Sequence, residues 1–258
     1  MHFSLTTLGT ASAHPVLDKN SSAHLLEVGG RLFLIDCGEG VQTQIFKMKK
    51  SITRIDNIFI SHLHGDHVFG LFGFLYTCDL QGRVAPLHIY CPSGLKEVID
   101  MIETKFGKVR FPIEYHFLRC KEPIMILEFK SLEIYAFPLK HRVETYGFLF
   151  KGKWRDNPRS FAYCSDTIPF AKLKTWLKGV SLIYHEATYS REHKELAKKR
   201  YHSTSEDAAL LAKEVGAKKL LLGHFSHRYK DLNVILNEAK EIFQESYLAE
   251  DGMVFDVP

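Results

Sequence analysis

Long hydrophobic runs are missing from this chain. No stretch stays apolar for the length that a bilayer-spanning helix needs. The first residues, Met1–Gly9, lack a basic segment followed by an apolar core, so no secretory leader is expected. Cysteine is sparse too. The five cysteines (Cys37, Cys78, Cys91, Cys120, Cys164) are odd in number, scattered, and never form a Cys-x-x-Cys pair. That argues against a disulfide framework and against a cysteine zinc site, and it fits a reducing, cytoplasmic setting. There is no low-complexity linker, no repeat period and no break in composition across the 258 residues. One domain, 1–258, is expected. Neither sign of charge dominates: the net charge is +4 and the isoelectric point about 8.7. Such a balance permits a polyanionic partner without requiring one. Local basic groups (Lys47, Lys49, Lys50 and Arg54; Lys151, Lys153, Arg155 and Arg159; Lys194, Lys198, Lys199 and Arg200) read equally well as solvated faces.

What is present is concentrated between Ser61 and Gly70. There His62, His64, Asp66 and His67 form His-x-His-x-Asp-His. Four side chains able to bind a metal within six residues do not suit a packed core. Imidazole favours zinc, manganese and related divalent ions, and the carboxylate adds a hard oxygen. The preceding run Ile55–Ile60 has the length and branching of a strand. Gly65 permits a tight turn, and Asp66 is placed to cap a helix through Val68–Tyr76. The cluster therefore sits where a strand hands over to a helix, a common position for α/β enzyme sites.

Patterning predicts further strands at residues 2–9, at Ala23–Val28 and Arg31–Asp36 around Gly29–Gly30, and at Pro86–Tyr90. Strands are also expected at Ile124–Phe129, Leu132–Pro138, Thr145–Phe150, Ser160–Cys164, Leu182–Tyr184, Leu220–Leu222 and Met253–Val257. Helices are expected at Val41–Lys50, Gly94–Phe106 and Leu232–Phe243, with another opened by a Ser203–Glu206 capping box and stopped by Gly216. Strand-rich halves that each carry helices suggest two packed sheets with helices outside.

Three later residues follow apolar strands as His62 does: His141 after Tyr135–Lys140, Asp166 after Phe161–Ser165, and His224 after Leu220–Gly223. Alone, each reads more readily as a capping aspartate or a satisfied surface histidine, and it is their shared place after strand ends that raises all three. Asp36 ends its own strand in Asp36-Cys37-Gly38-Glu39-Gly40.

The His62–His67 motif resembles the signature of the metallo-β-lactamase superfamily. Other stretches narrow the likeness: His185-Glu186-Ala187-Thr188-Tyr189, His202-Ser203-Thr204, Gly223-His224-Phe225-Ser226-His227-Arg228-Tyr229, and Gly9-Thr10 leading to Pro15 and Asn20-Ser21-Ser22. Together they resemble ribonuclease Z, the zinc endonuclease family that removes 3′ trailers from precursor tRNA, across nearly the whole chain. The resemblance implies an α/β fold, the four-layered αββα sandwich. It implies two divalent ions, zinc with manganese also compatible, that activate a shared water. His62, His64 and His141 would hold one ion, Asp66, His67 and His224 the other, and Asp166 would bridge. Asp36 would orient ligands from behind. Asp66 would steer the water, while Glu186 would hold a proton on His202 for the leaving oxygen. Arg228, Ser226 and Thr188 would contact the substrate. The implied partners are precursor tRNA and a second copy in a homodimer, with no membrane.

Two departures bear on the substrate. Ribonuclease Z carries a long arm between the positions of His141 and Asp166, and here that interval is filled by two strands and the basic turn Lys151–Arg159. The loop Pro15–Asn20 also carries Lys19 where arginine is usual. The alternative is therefore an armless phosphodiesterase of the same branch acting on small or cyclic phosphodiesters. A thioester or β-lactam hydrolase would not need Glu186 and His202, and a non-catalytic relative would have lost metal ligands that are all present here.

Overall fold

The structure is a computed structural model that describes residues 2–154 and 158–258. The chain divides into two compact units, residues 1–119 with 250–256, and residues 120–249 with 257–258.

The first unit holds a seven-stranded sheet. Its strands are β1 (Phe3–Gly9), β2 (Ala23–Val28), β3 (Arg31–Ile35), β4 (Ile55–Phe59), β5 (Leu87–Cys91) and β6 (Ile113–Phe117), with β14 (Val254–Asp256) from the chain's last turn. The order is β14-β1-β2-β3-β4-β5-β6. Three antiparallel pairings run from β14 to β3, and three parallel ones run on to β6. Parallel neighbours need crossovers, and helices supply them. The helices are α1 (Val41–Lys47), α2 (Gly65–Val68), α3 (Gly70–Leu80) and α4 (Leu95–Phe106). Leu34, Ile58 and Ile89 from the sheet form one core with Ile45, Leu71, Phe74 and Ile99 from the helices.

The second unit repeats the plan. Its strands are β7 (Ile124–Phe129), β8 (Leu132–Pro138), β9 (Tyr146–Gly152), β10 (Ser160–Cys164), β11 (Leu182–Glu186), β12 (Lys219–Gly223) and β13 (Ser246–Leu248). They lie in the order β13-β12-β11-β10-β9-β8-β7, again with three antiparallel and three parallel pairings. Helices α5 (Ala171–Trp176), α6 (Lys194–Arg200), α7 (Ser205–Val215) and α8 (Asn233–Ile242) complete it. The core joins Ala162, Ile183 and Leu220 to Leu173, Ala208, Ala212, Ile235 and Ala239.

Several local expectations are corrected. The helix after the histidine cluster is two pieces, α2 and α3, and Asp66 lies in the first turn of α2 behind the cap position at His64. The close approach of α3 to the loop after β3 accounts for the break: a Cβ on Gly70 would meet the Gly38 carbonyl oxygen at 1.9 Å. The capping box of α7 is made by Thr204 and Asp207 rather than Ser203 and Glu206. Ser203 Oγ instead donates to the Thr167 carbonyl at 2.7 Å. Strands β6 and β13 and helices α5 and α6 were not anticipated. They are short or lack a clear apolar stripe, so periodicity had little to work on. The five cysteines form no disulfide among the described residues. Among the described residues, no helix is long and apolar enough to cross a membrane.

Candidate functional site

Most of the candidate residues stand at the C-terminal ends of strands that have a parallel neighbour, where the backbone leaves the ladder, whereas His141 follows the antiparallel β8. In the first unit Asp36 follows β3, and Ser61 and His62 follow β4. Asp36 is fully buried and has a left-handed backbone (φ 54°), which an L-residue adopts only under constraint. Its carboxylate accepts from the Ser61 N–H at 2.7 Å, from Ser61 Oγ at 2.8 Å and from His67 Nδ1 at 2.7 Å. Because Ser61 Oγ donates to Asp36, it accepts from His62 Nδ1 at 3.0 Å. His62 and His67 both present Nδ1 to this network and turn Nε2 the other way. His62 Nε2 lies 2.9 Å from His64 Nδ1, and His67 Nε2 lies 3.5 Å from Asp66 Oδ2. Asp66 is held by the Ala13 N–H at 2.8 Å, and Ala13 is itself left-handed (φ 67°).

The second unit presents a matching set. Asp166 follows β10, Glu186 ends β11, His224 follows β12, and His141 follows β8. The two carboxylate oxygens of Asp166 face different imidazoles: Oδ2 lies 3.7 Å from His141 Nε2 and Oδ1 lies 3.3 Å from His224 Nε2. His141 Nδ1 donates to the Tyr201 carbonyl at 2.8 Å, and burial lowers the ring's basicity, so Nε2 carries a lone pair. His224 has φ 57°, a second left-handed residue at a strand end.

Glu186 organises this half. Its side chain is buried. Oε1 accepts from the Thr167 N–H at 2.8 Å and from His202 Nδ1 at 3.0 Å, and Oε2 accepts from Thr188 Oγ1 at 2.6 Å. Burial alone would raise its pKa, but the His202 charge and hydrogen bond, His224 and Thr188 together hold it below the usual carboxylate range. Since Thr188 Oγ1 donates to Glu186, it accepts from His224 Nδ1 at 2.9 Å. One carboxylate thus orients both His202 and, through Thr188, His224. His202 borders a cavity of about 260 Å³ that Lys194 and Lys198 also line.

Of the expected substrate contacts, Arg228 is exposed, with Nε 3.2 Å from Ser226 Oγ and its guanidinium over the Tyr189 ring at 5.2 Å. Ser226 is buried beneath it. Thr188 is buried, and its hydroxyl bonds to Glu186 and His224. Residues 155–157 of the basic turn Lys151–Arg159, Arg155 among them, lie outside the described residues. On its flanks Arg159 stacks on Trp154 at 4.9 Å and Lys153 pairs with Glu128 at 2.5 Å. Ser61, Ala13, Thr167 and Tyr201 escaped the sequence reading. Ser61 adjoins His62 and was within reach of it, whereas the other three act through backbone groups that any residue type supplies.

The donor types in each unit suit divalent ions: His62 and His67 present Nδ1 to Ser61 and Asp36 and turn Nε2 toward His64 and Asp66, and His141 and His224 turn Nε2 toward the two oxygens of Asp166. A family model described as anti-Pycsar protein Apyc1 matches residues 3–246. Ribonuclease Z of Porphyromonas gingivalis is 35% identical, with 99% of each chain covered. The chain belongs to the ribonuclease Z family and to that of the anti-Pycsar protein Apyc1. Among solved structures, human tRNase Z, short form, aligns over 99% of each chain with a TM-score of 0.87 and 33% identity. The metallo-β-lactamase fold protein YhfI of Bacillus subtilis has a TM-score of 0.84 at 21% identity, covering 99% of this chain and all of that one. The fold class is the α/β metallo-β-lactamase type expected from the sequence. The alignment to the Porphyromonas ribonuclease Z runs over 301 positions against a chain of 258 residues, so that relative has residues without a counterpart here.

Proposed function

We propose that this protein is a metal-dependent phosphodiesterase of the ribonuclease Z type, hydrolysing RNA phosphodiester bonds in tRNA 3′-end processing. Membership of the ribonuclease Z family supports the reading. The observation that carries it is the Glu186–His202 pair, with His202 Nδ1 3.0 Å from Glu186 Oε1 and 3.9 Å from Asp166 Oδ2.

In this reading the two units act as one hydrolase domain. His62, His64 and His141 would hold one divalent ion and Asp66, His67 and His224 a second, with Asp166 as a further ligand. Zinc suits this set, and manganese is compatible. Such ions supply a nucleophile at neutral pH and offset phosphate charge. The chain's residues do the rest. Asp66, steadied by the Ala13 N–H, orients the attacking water. Glu186 favours a proton on His202, which donates it to the departing oxygen. Arg228 is placed to meet a phosphate oxygen, and Lys194 and Lys198 attract the nucleic-acid backbone toward His202. The active form in this reading is a cytoplasmic homodimer.

A second reading keeps the chemistry and changes the substrate to a small or cyclic phosphodiester. Two observations favour it: the match to the Apyc1 family over residues 3–246, and the interval from His141 to Asp166, which β9 and β10 largely occupy. Single-turnover assays on a precursor tRNA with a 3′ trailer, a 3′,5′-cyclic nucleotide and bis-p-nitrophenyl phosphate separate the two. Trailer removal supports the first reading. Turnover of the small diesters without tRNA cleavage replaces it with the second. Failure on all three by the zinc-loaded protein overturns both.

A further inference from the structure

The edge of the first sheet carries a second group of metal-competent side chains. Strand β6 is the edge strand and, among the described residues, pairs with β5 alone in that sheet, with His88 opposite Glu114 and Tyr90 opposite His116. Alternation divides both strands between two faces. Leu87, Ile89 and Cys91, with Ile113 and Tyr115, turn to the helix-covered core. His88, Tyr90, Glu114 and His116 occupy the opposite face.

There the donor atoms meet. His88 Nδ1 lies 3.2 Å from His116 Nε2 and 3.3 Å from Glu114 Oε2. Around a tetrahedral ion with bonds of 2.0–2.1 Å, neighbouring ligand atoms stand about 3.3–3.4 Å apart. His88 Nδ1 thus already stands at about the spacing of adjacent corners of one coordination sphere from each of the other two, and all three atoms lie within 4.8 Å of one another. The His116 ring is prealigned, because it stacks on Tyr90 with centroids 4.4 Å apart, and Tyr90 stacks on Phe59 at 4.8 Å. Burial and the neighbouring His88 lower the basicity of His116. His88 is one-third exposed and Glu114 half exposed, so an ion and a water have access.

We propose that His88, Glu114 and His116 form a separate site for one divalent transition ion of the zinc class, with its fourth position open to water. Two imidazoles and a carboxylate suit zinc, nickel or copper(II) and disfavour magnesium and calcium. Two of the three ligands lie on the edge strand, so the ion ties β6 to β5 and guards an edge that would otherwise open readily.

Equilibrium dialysis of the full-length protein against zinc, followed by metal analysis, tests this. Wild type is expected to hold one zinc per chain more than His88→Ala and His116→Ala, with Glu114→Gln binding that ion more weakly. Zinc is also expected to slow amide exchange in β6 at least tenfold in wild type and not in His116→Ala. These variants keep residues 62, 64, 66, 67, 141, 166 and 224, so the difference does not depend on how many ions those hold. Equal zinc content in wild type and in variants folded by circular dichroism overturns the site. Should an alanine variant unfold, unchanged zinc binding in Glu114→Gln together with zinc-independent β6 exchange in wild type overturns it equally.

Discussion

Asp36 Oδ2 lies 2.7 Å from His67 Nδ1, and neither side chain is exposed. The same carboxylate binds the N–H and hydroxyl of Ser61, so one buried aspartate sets both the His67 ring and, through Ser61, the His62 ring. Asp36→Asn keeps the shape but replaces one acceptor oxygen with a donor. Zinc affinity of the His62–His67 loop is expected to fall about 10–100-fold, the usual cost of losing such support. Competition with a zinc chelator measures it, and unchanged affinity refutes the orienting role.

His202→Ala is expected to slow phosphodiester cleavage by about 10²–10⁴-fold, as for loss of a general acid. Zinc content should be unchanged, because the residue is not assigned as a ligand. A near-normal rate leaves His202 structural. His64→Ala, by contrast, should abolish turnover with the fold retained.

Thr188→Val removes the hydroxyl that links Glu186 to His224 while preserving side-chain volume. Both zinc affinity and kcat are expected to drop, with KM nearly constant, since the hydroxyl is buried and bonded to Glu186 and His224. A change in KM alone contradicts this and restores Thr188 as a substrate contact.

Gly70→Ala puts a methyl group 1.9 Å from the Gly38 carbonyl oxygen. Backbone must shift on one side, at a cost of about 1–3 kcal/mol by analogy with overpacked cores. Thermal denaturation should show a lower Tm, and a Tm equal to wild type means that the α3 approach is looser than described.

Asp79 accepts from the Arg110 N–H at 2.8 Å and from Arg110 Nε at 3.1 Å, and these bonds hold its pKa below the ordinary value. With a lowered folded-state pKa, the pair's stabilisation is complete above about pH 4 and fades as pH falls through the folded value. In an NMR titration the Asp79 carboxyl should protonate at lower pH than in Arg110→Ala. Coincident titrations exclude the pair as the cause.

Much of this protein was legible in its residues because the relevant physics is local. The His62–His67 cluster, the strands before it, and the positions of Asp36, His141, Asp166 and His224 after apolar runs all follow from side-chain chemistry and alternation. The likeness to ribonuclease Z that these motifs carry matches the family found by comparison. Helix boundaries were less legible. The break between α2 and α3 depends on Gly38, thirty-two residues before Gly70, and no local pattern encodes that approach.

The sequence by itself determined which groups are available: seven ligand candidates, the Glu186 and His202 pair, and the absence of any long apolar run. Tertiary structure alone decided how those groups face. Asp166 turns one oxygen to His141 and the other to His224, and Thr188 turns inward to carry the orienting effect of Glu186. His88, Glu114 and His116 come together only because β5 and β6 pair in one register. Most of these relations join residues far apart in the chain, and only strand pairing and packing bring them together.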